Sequence, residues 1–181
     1  METETLETLK YPTGKLKLPK EFTYADIQHC IDVIGRFPKE IKEEVVPCTE
    51  EELAYLHRPE GWTIRQLTHH CADSHMNAFI RVKLALTEDK PTIKPYKEAE
   101  CARLVDTTEA PVEWSLQLIE GLHKRWVLLL NSIKEEQLGR TVFHPEMKRE
   151  IAISDICFIY SWHCGHHLAH IKNAKKHKNK F

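Results

Sequence analysis

The chain has 181 residues, 41% of them hydrophobic and 29% charged, which suits one domain with a sizeable core. Its 26 Lys and Arg against 27 Asp and Glu give a formal net charge of −1, which excludes a global positive field able to draw in nucleic acid or an anionic membrane surface. No apolar run approaches the roughly 20 residues of a membrane span, so neither nucleic acid nor a membrane is an expected partner.

The opening stretch, METETLETLKYPTGK, lacks the basic region and apolar segment of a secretory signal. The six cysteines, Cys30, Cys48, Cys71, Cys101, Cys157 and Cys164, contain no CxxC pair. They read as free thiols in a reducing compartment, which points to a cytoplasmic protein.

Residues 1–22 contain YPTGKLKLPK and read as an N-terminal extended arm. From Thr23 to about Val46, Ile27, Cys30, Ile31, Ile34, Ile41 and Val45 recur at the helical period, with Pro38 expected to kink or divide the helix. Thr49 and Glu52 suit the capping box of a short helix. A second long helix is expected from Thr63, as N-cap, to Thr87, and a third from TEAPVEW, with Pro111 in its first turn, to about Ile133. The long crossover between them has room for a short helix at Lys97 to Arg103. RTVFHP and KREIAI, on either side of Glu146 and Met147, alternate as a small β-hairpin does. A last helix starts at Ser154 and Asp155, and residues 177–181 form a basic tail. Four long amphipathic helices make residues 23–176 an all-α four-helix bundle, with a long crossover, short extra helices and a β-hairpin.

The last helix carries WHCGHHLAHI, with four histidines. Residues four apart lie about 40° apart on a helix, so His166 and His170 stack on one face; His163 lies about 60° from His166 and His167 about 100°. Ile159 and Phe158 approach the same side, which is expected to face the bundle. Two imidazoles one turn apart suit a metal as well as they suit hydrogen-bonded core residues. A catalytic zinc site needs a third donor, and the second long helix offers WTIRQLTHHCADSHMN. Within about 60° of His70 lie Thr63, Gln66, Asp73, Ser74, Asn77 and Arg81, a polar stripe that suits a solvent face or a functional interior wall equally. His29, His57, His75, His144 and His177 read as ordinary exposed or core histidines. His123 lies on the apolar face of the third helix, either near the same cavity or bonded to a backbone carbonyl.

In order, YPTGK, GWTIRQLTHHCADSHMNAFIRVKLALTED, PTIKPY, LHKRW and WHCGHHLAHI resemble the YfiT-like branch of the DinB-like superfamily over about residues 11 to 175. The resemblance implies a four-helix bundle, often a homodimer, with one divalent metal ion per chain, zinc or nickel, held by three histidines. Carried over by motif, the ligands are His70, His166 and His170. It also implies a metal-dependent enzyme, since some members are named putative metal-dependent hydrolases and a related one is a bacillithiol S-transferase. Thiol S-transfer from a small-molecule thiol to an electrophile is the leading expectation, with Asn77 and Arg81 gripping the thiol. Metal-dependent hydrolysis of an amide or ester is the alternative, with Asp73 as the catalytic base or as a residue orienting a ligand imidazole. A metal-stabilised bundle that binds a small ligand without turnover is the third reading.

Overall fold

The computed structural model describes residues 5–181, so the first four residues of the expected arm lie outside the described residues. The arm is not extended throughout: it opens with α1 (Leu6–Lys10), capped by the Thr5 hydroxyl, and turns at Gly14, whose φ of 79° suits a residue without Cβ. Trp162 Nε1 donates to the Gly14 carbonyl at 3.0 Å, which ties the arm to the last helix.

The bundle consists of α2 (Tyr24–Val45), α4 (Ile64–Thr87), α7 (Val112–Asn131) and α8 (Ile153–His177). Short helices α3 (Glu50–Leu53), α5 (Glu98–Cys101) and α6 (Val105–Thr108) lie in the connections. Local chemistry fixes the helix starts. In α2 the Thr23 hydroxyl accepts from Asp26 N–H while Asp26 accepts from Thr23 N–H at 2.7 Å, and Thr63 with Gln66 builds the same box at α4. Gln66 also donates to the Ala102 carbonyl at 2.8 Å, which pins the crossover to the start of α4. Pro111 sits at the N-cap of α7.

Pro38 lies inside α2 without dividing it. Ile34, Phe37 and Ile41 are all fully buried, so core packing on both sides of the proline holds one helix. Helices α2 and α4 pack mainly against both α7 and α8 and touch each other little, so they occupy opposite corners of the bundle. The hairpin between α7 and α8 is β1 (Thr141–His144) paired antiparallel with β2 (Arg149–Ala152), in the register Thr141 opposite Ala152. It rests on the end of α4, where Arg140 donates to the Glu88 carbonyl at 2.8 Å. Among the described residues no helix is long and apolar enough to cross a membrane.

Candidate metal centre

His70 on α4 meets His163 and His167 on α8 near the middle of the bundle. One ring nitrogen from each lies within 4.8 Å of the other two, the only such His/Cys/Asp/Glu cluster among the described residues. His70 Nε2 and His163 Nε2 are 3.3 Å apart. Two imidazole nitrogens about 2.0–2.1 Å from one tetrahedral ion stand about 3.3–3.4 Å apart, so this spacing fits a shared cation. His167 Nδ1 is buried with no hydrogen-bond partner among the described residues, a state it shares with His166 Nδ1 and His170 Nδ1, so the clustering and not the orphaned nitrogen singles His167 out.

The rings are held from behind. His70 Nδ1 is 3.3 Å from the Tyr96 hydroxyl, and Trp62 packs on its face with ring centroids 4.7 Å apart. His163 Nδ1 is 3.0 Å from His75 Nε2, and His75 in turn is bonded to His123. Burial drives the His70 pKa down to about 4 and holds His163 and His167 well below 6.5, so all three are neutral donors at physiological pH. Two cavities flank the cluster. One of about 610 Å³ is lined by His163 together with Ser74, Arg81, Tyr96, Lys97 and Tyr160. The other, about 430 Å³, is lined by His166, His167, His170, His57, Arg58 and Tyr11; Glu98 borders both.

The structure does not assemble the expected trio His70, His166 and His170. His166 and His170 meet edge to face, with centroids 4.2 Å apart, and turn toward the arm and the loop before α4. There His170 lies 4.3 Å from the His57 ring and 3.3 Å from the Lys10 carbonyl, and Trp162 stacks on His166. The reason is the inward ridge of α8. Tyr160 and Cys164 are buried, whereas Phe158 and Ile159, which suggested the facing side, are only half-buried. Cys164 is about 60° round the helix from His167 and about 160° from His166, so His167 turns toward the core and the half-buried His163 lines the larger cavity beside it, while His166 and His170 are buried under the arm and the loop before α4.

Of the other expected site residues, Arg81 lines the larger cavity. Asn77 instead donates to the Asp73 carbonyl one turn back on its own helix, at 2.9 Å. The Asp73 carboxylate makes no hydrogen bond to the cluster among the described residues, and burial with the charge of Asp106 raises its pKa. Sequence reasoning placed His163 near the paired face without giving it a role, and singled out none of His167, His75, His57 and Tyr96. A second i, i+4 histidine pair was the available signal for His163 and His167; for Tyr96 it was its place in PTIKPY, one of the segments that carry the resemblance.

A family model described as the DinB superfamily matches residues 35–171. The chain belongs to the DinB superfamily. This DinB-superfamily chain is 46% identical over 170 residues to a protein of Oceanobacillus iheyensis named "Putative metal-dependent hydrolase", covering 94% of this chain and 98% of that one. A protein of the same designation from Halalkalibacterium halodurans is 44% identical over 168 residues, covering 91% and 95%. Among solved structures, YfiT from Bacillus subtilis, described as "a probable metal-dependent hydrolase with an unusual four-helix bundle topology", superposes with a TM-score of 0.91 at 38% identity, covering 93% of this chain and 97% of that one. The DinB-superfamily bundle and the names of its relatives support a metal-dependent enzyme.

Proposed function

We propose that the chain is a metal-dependent enzyme that transfers a small-molecule thiol to an electrophile, with one zinc or nickel ion held by His70, His163 and His167. The observation that carries this reading is the donor set: three imidazoles, with no carboxylate among them, converge within 4.8 Å. Neutral donors cancel none of a cation's charge, and a divalent ion held there would supply the positive charge that lets a thiol deprotonate near neutral pH.

The chain's own residues do the rest. Tyr96 and His75 fix the orientation of His70 and His163, and burial keeps these rings unprotonated and ready to donate lone pairs. Arg81 and Lys97 on the wall of the larger cavity offer cations to an acidic thiol, while Met147 and Ile159 offer apolar surface to the electrophile. In the transfer the thiol proton passes to water, sulfur bonds to the electrophilic carbon, and the leaving group departs with the bonding pair.

The test compares zinc-loaded and nickel-loaded chain with metal-free chain in conjugating bacillithiol, and cysteine as a control thiol, to a fluorogenic electrophile. A cation's stabilisation of developing negative charge is worth several kcal/mol, so loaded protein should accelerate conjugation by a factor of roughly 10² or more. Equal rates with and without metal would overturn the proposal.

Hydrolysis is a second reading, supported by the names of the relatives and by Glu98, a carboxylate bordering both cavities beside the cluster. Under that reading Glu98 takes a proton from the attacking water. Glu98→Gln would then abolish turnover of an ester and amide panel while leaving metal content unchanged.

A further inference from the structure

Pro38 has no N–H, so the carbonyl of Ile34, four residues earlier in α2, lacks its helical donor. His123 Nδ1, from α7, lies 2.7 Å from that oxygen. His123 Nε2 is 2.8 Å from His75 Nδ1, and His75 Nε2 is 3.0 Å from His163 Nδ1. The far nitrogen of His163, Nε2, faces His70 Nε2 in the metal cluster. One carbonyl and three imidazoles on four different helices thus form an unbroken row from a proline to a metal ligand.

The row has a sense. A carbonyl oxygen only accepts, so His123 Nδ1 carries hydrogen. A neutral imidazole has one donor and one acceptor, so His123 Nε2 accepts, which requires His75 Nδ1–H. By the same step His75 Nε2 accepts from His163 Nδ1–H, and His163 Nε2 carries no hydrogen, its lone pair facing His70 with the Ser74 hydroxyl 3.4 Å away. His75 and His123 are essentially unexposed, and Phe37, Trp126 and Tyr160 pack against His75, with Phe37 and Trp126 against His123 as well.

We propose that the Ile34 carbonyl, His123 and His75 are positioning groups that lock His163 in its Nδ1–H tautomer, so that its Nε2 lone pair is aimed into the metal site before any ion arrives. This rests on the reading of His163 as a metal ligand. Neither His75 nor His123 is a catalytic residue, since two or more bonds separate each from the ion. The competing arrangement is the reversed row, in which a hydrogen on His163 Nε2 points at His70 and must be displaced before a metal can bind.

The test uses the full metal-free chain with ¹⁵N-labelled histidine. Long-range ¹H–¹⁵N correlation spectra, with His163 assigned by comparison with His163→Gln, should show Nδ1 protonated and Nε2 bare. In His75→Phe, which keeps the ring's bulk but not its acceptor, the Nδ1–H preference should be lost and the Kd for zinc should rise 10–100-fold, the usual effect of removing a hydrogen-bond partner of a ligand. His75→Gln keeps an acceptor near the Nε2 position and should recover most of that affinity. Protonated Nε2 on His163 in the wild-type spectrum overturns the proposal without any variant having to fold. An unchanged zinc Kd in a folded His75→Phe chain overturns it too. A wild-type chain that shows the Nδ1–H tautomer yet takes up no zinc supports the lock and overturns the metal reading instead.

Discussion

At the scale of single residues, the four histidines of α8 divide into two pairs that differ in what stands behind them. His163 is braced by His75 and faces His70, whereas His170 leans on His57 and the Lys10 carbonyl. Elemental mass spectrometry should therefore find about one equivalent of zinc or nickel per chain in the native protein, lost in His163→Ala and His167→Ala and retained in His166→Ala and His170→Ala. The reverse pattern would return the site to His70, His166 and His170. His69, the neighbour of His70, is occupied elsewhere, with Nδ1 2.7 Å from Ser115 Oγ and Nε2 3.1 Å from the Ala110 carbonyl. The choice between the two pairs on α8 was not legible in spacing. Both pairs have the same i, i+4 separation and differ by about 60° of rotation, and only their tertiary neighbours, His70 and His75 for one pair and His57 and the arm for the other, tell them apart.

At the scale of elements, side chains at the helix termini carried most of the readable information. Thr63 caps α4 as its sequence suggests, with its hydroxyl 3.1 Å from Gln66 N–H. Thr63→Ala should lower stability by roughly 1 kcal/mol in urea denaturation while leaving zinc stoichiometry intact, because His70 lies two turns further along. A loss of metal with no loss of stability would mean that the cap acts on the site and not on the helix. The hairpin was legible for a similar reason, since alternation and a short polar turn are local signals. Pro38 left continuity open because propensity is local, while the burial of Ile34, Phe37 and Ile41 that keeps α2 whole is tertiary. The arm departs from the extended reading at its short helix α1, and its anchorage to Trp162 and His170 joins positions about 150 residues apart, beyond the reach of any periodic pattern.

At the scale of the whole molecule, the bundle buries many imidazoles, and this makes its stability depend on pH. Burial lowers the pKa of His123 and of His57 to about 4, against 6.5 in the unfolded chain. Between those values the unfolded state binds more protons than the folded one, so unfolding free energy rises with pH across that window and falls as pH drops through it. Each such group forfeits on the order of 3 kcal/mol when the window has been crossed, since one pKa unit is worth about 1.4 kcal/mol. For the metal-free chain, the urea midpoint should be nearly constant from pH 7 to 8.5 and drop steeply from about 6.5 toward 4. A midpoint that stays level between pH 6.5 and 4 would show that these rings remain hydrated.

Pro38 also bears on how such a chain tolerates improvement. Helix propensity alone makes Pro38→Ala the obvious stabilising change, worth up to about 3 kcal/mol in a helix interior. Here the new amide would claim the Ile34 carbonyl and leave the His123 imidazole to find another acceptor. The sturdier helix would come with a poorer metal site, a trade-off between stability and activity placed at a residue that touches neither ion nor substrate.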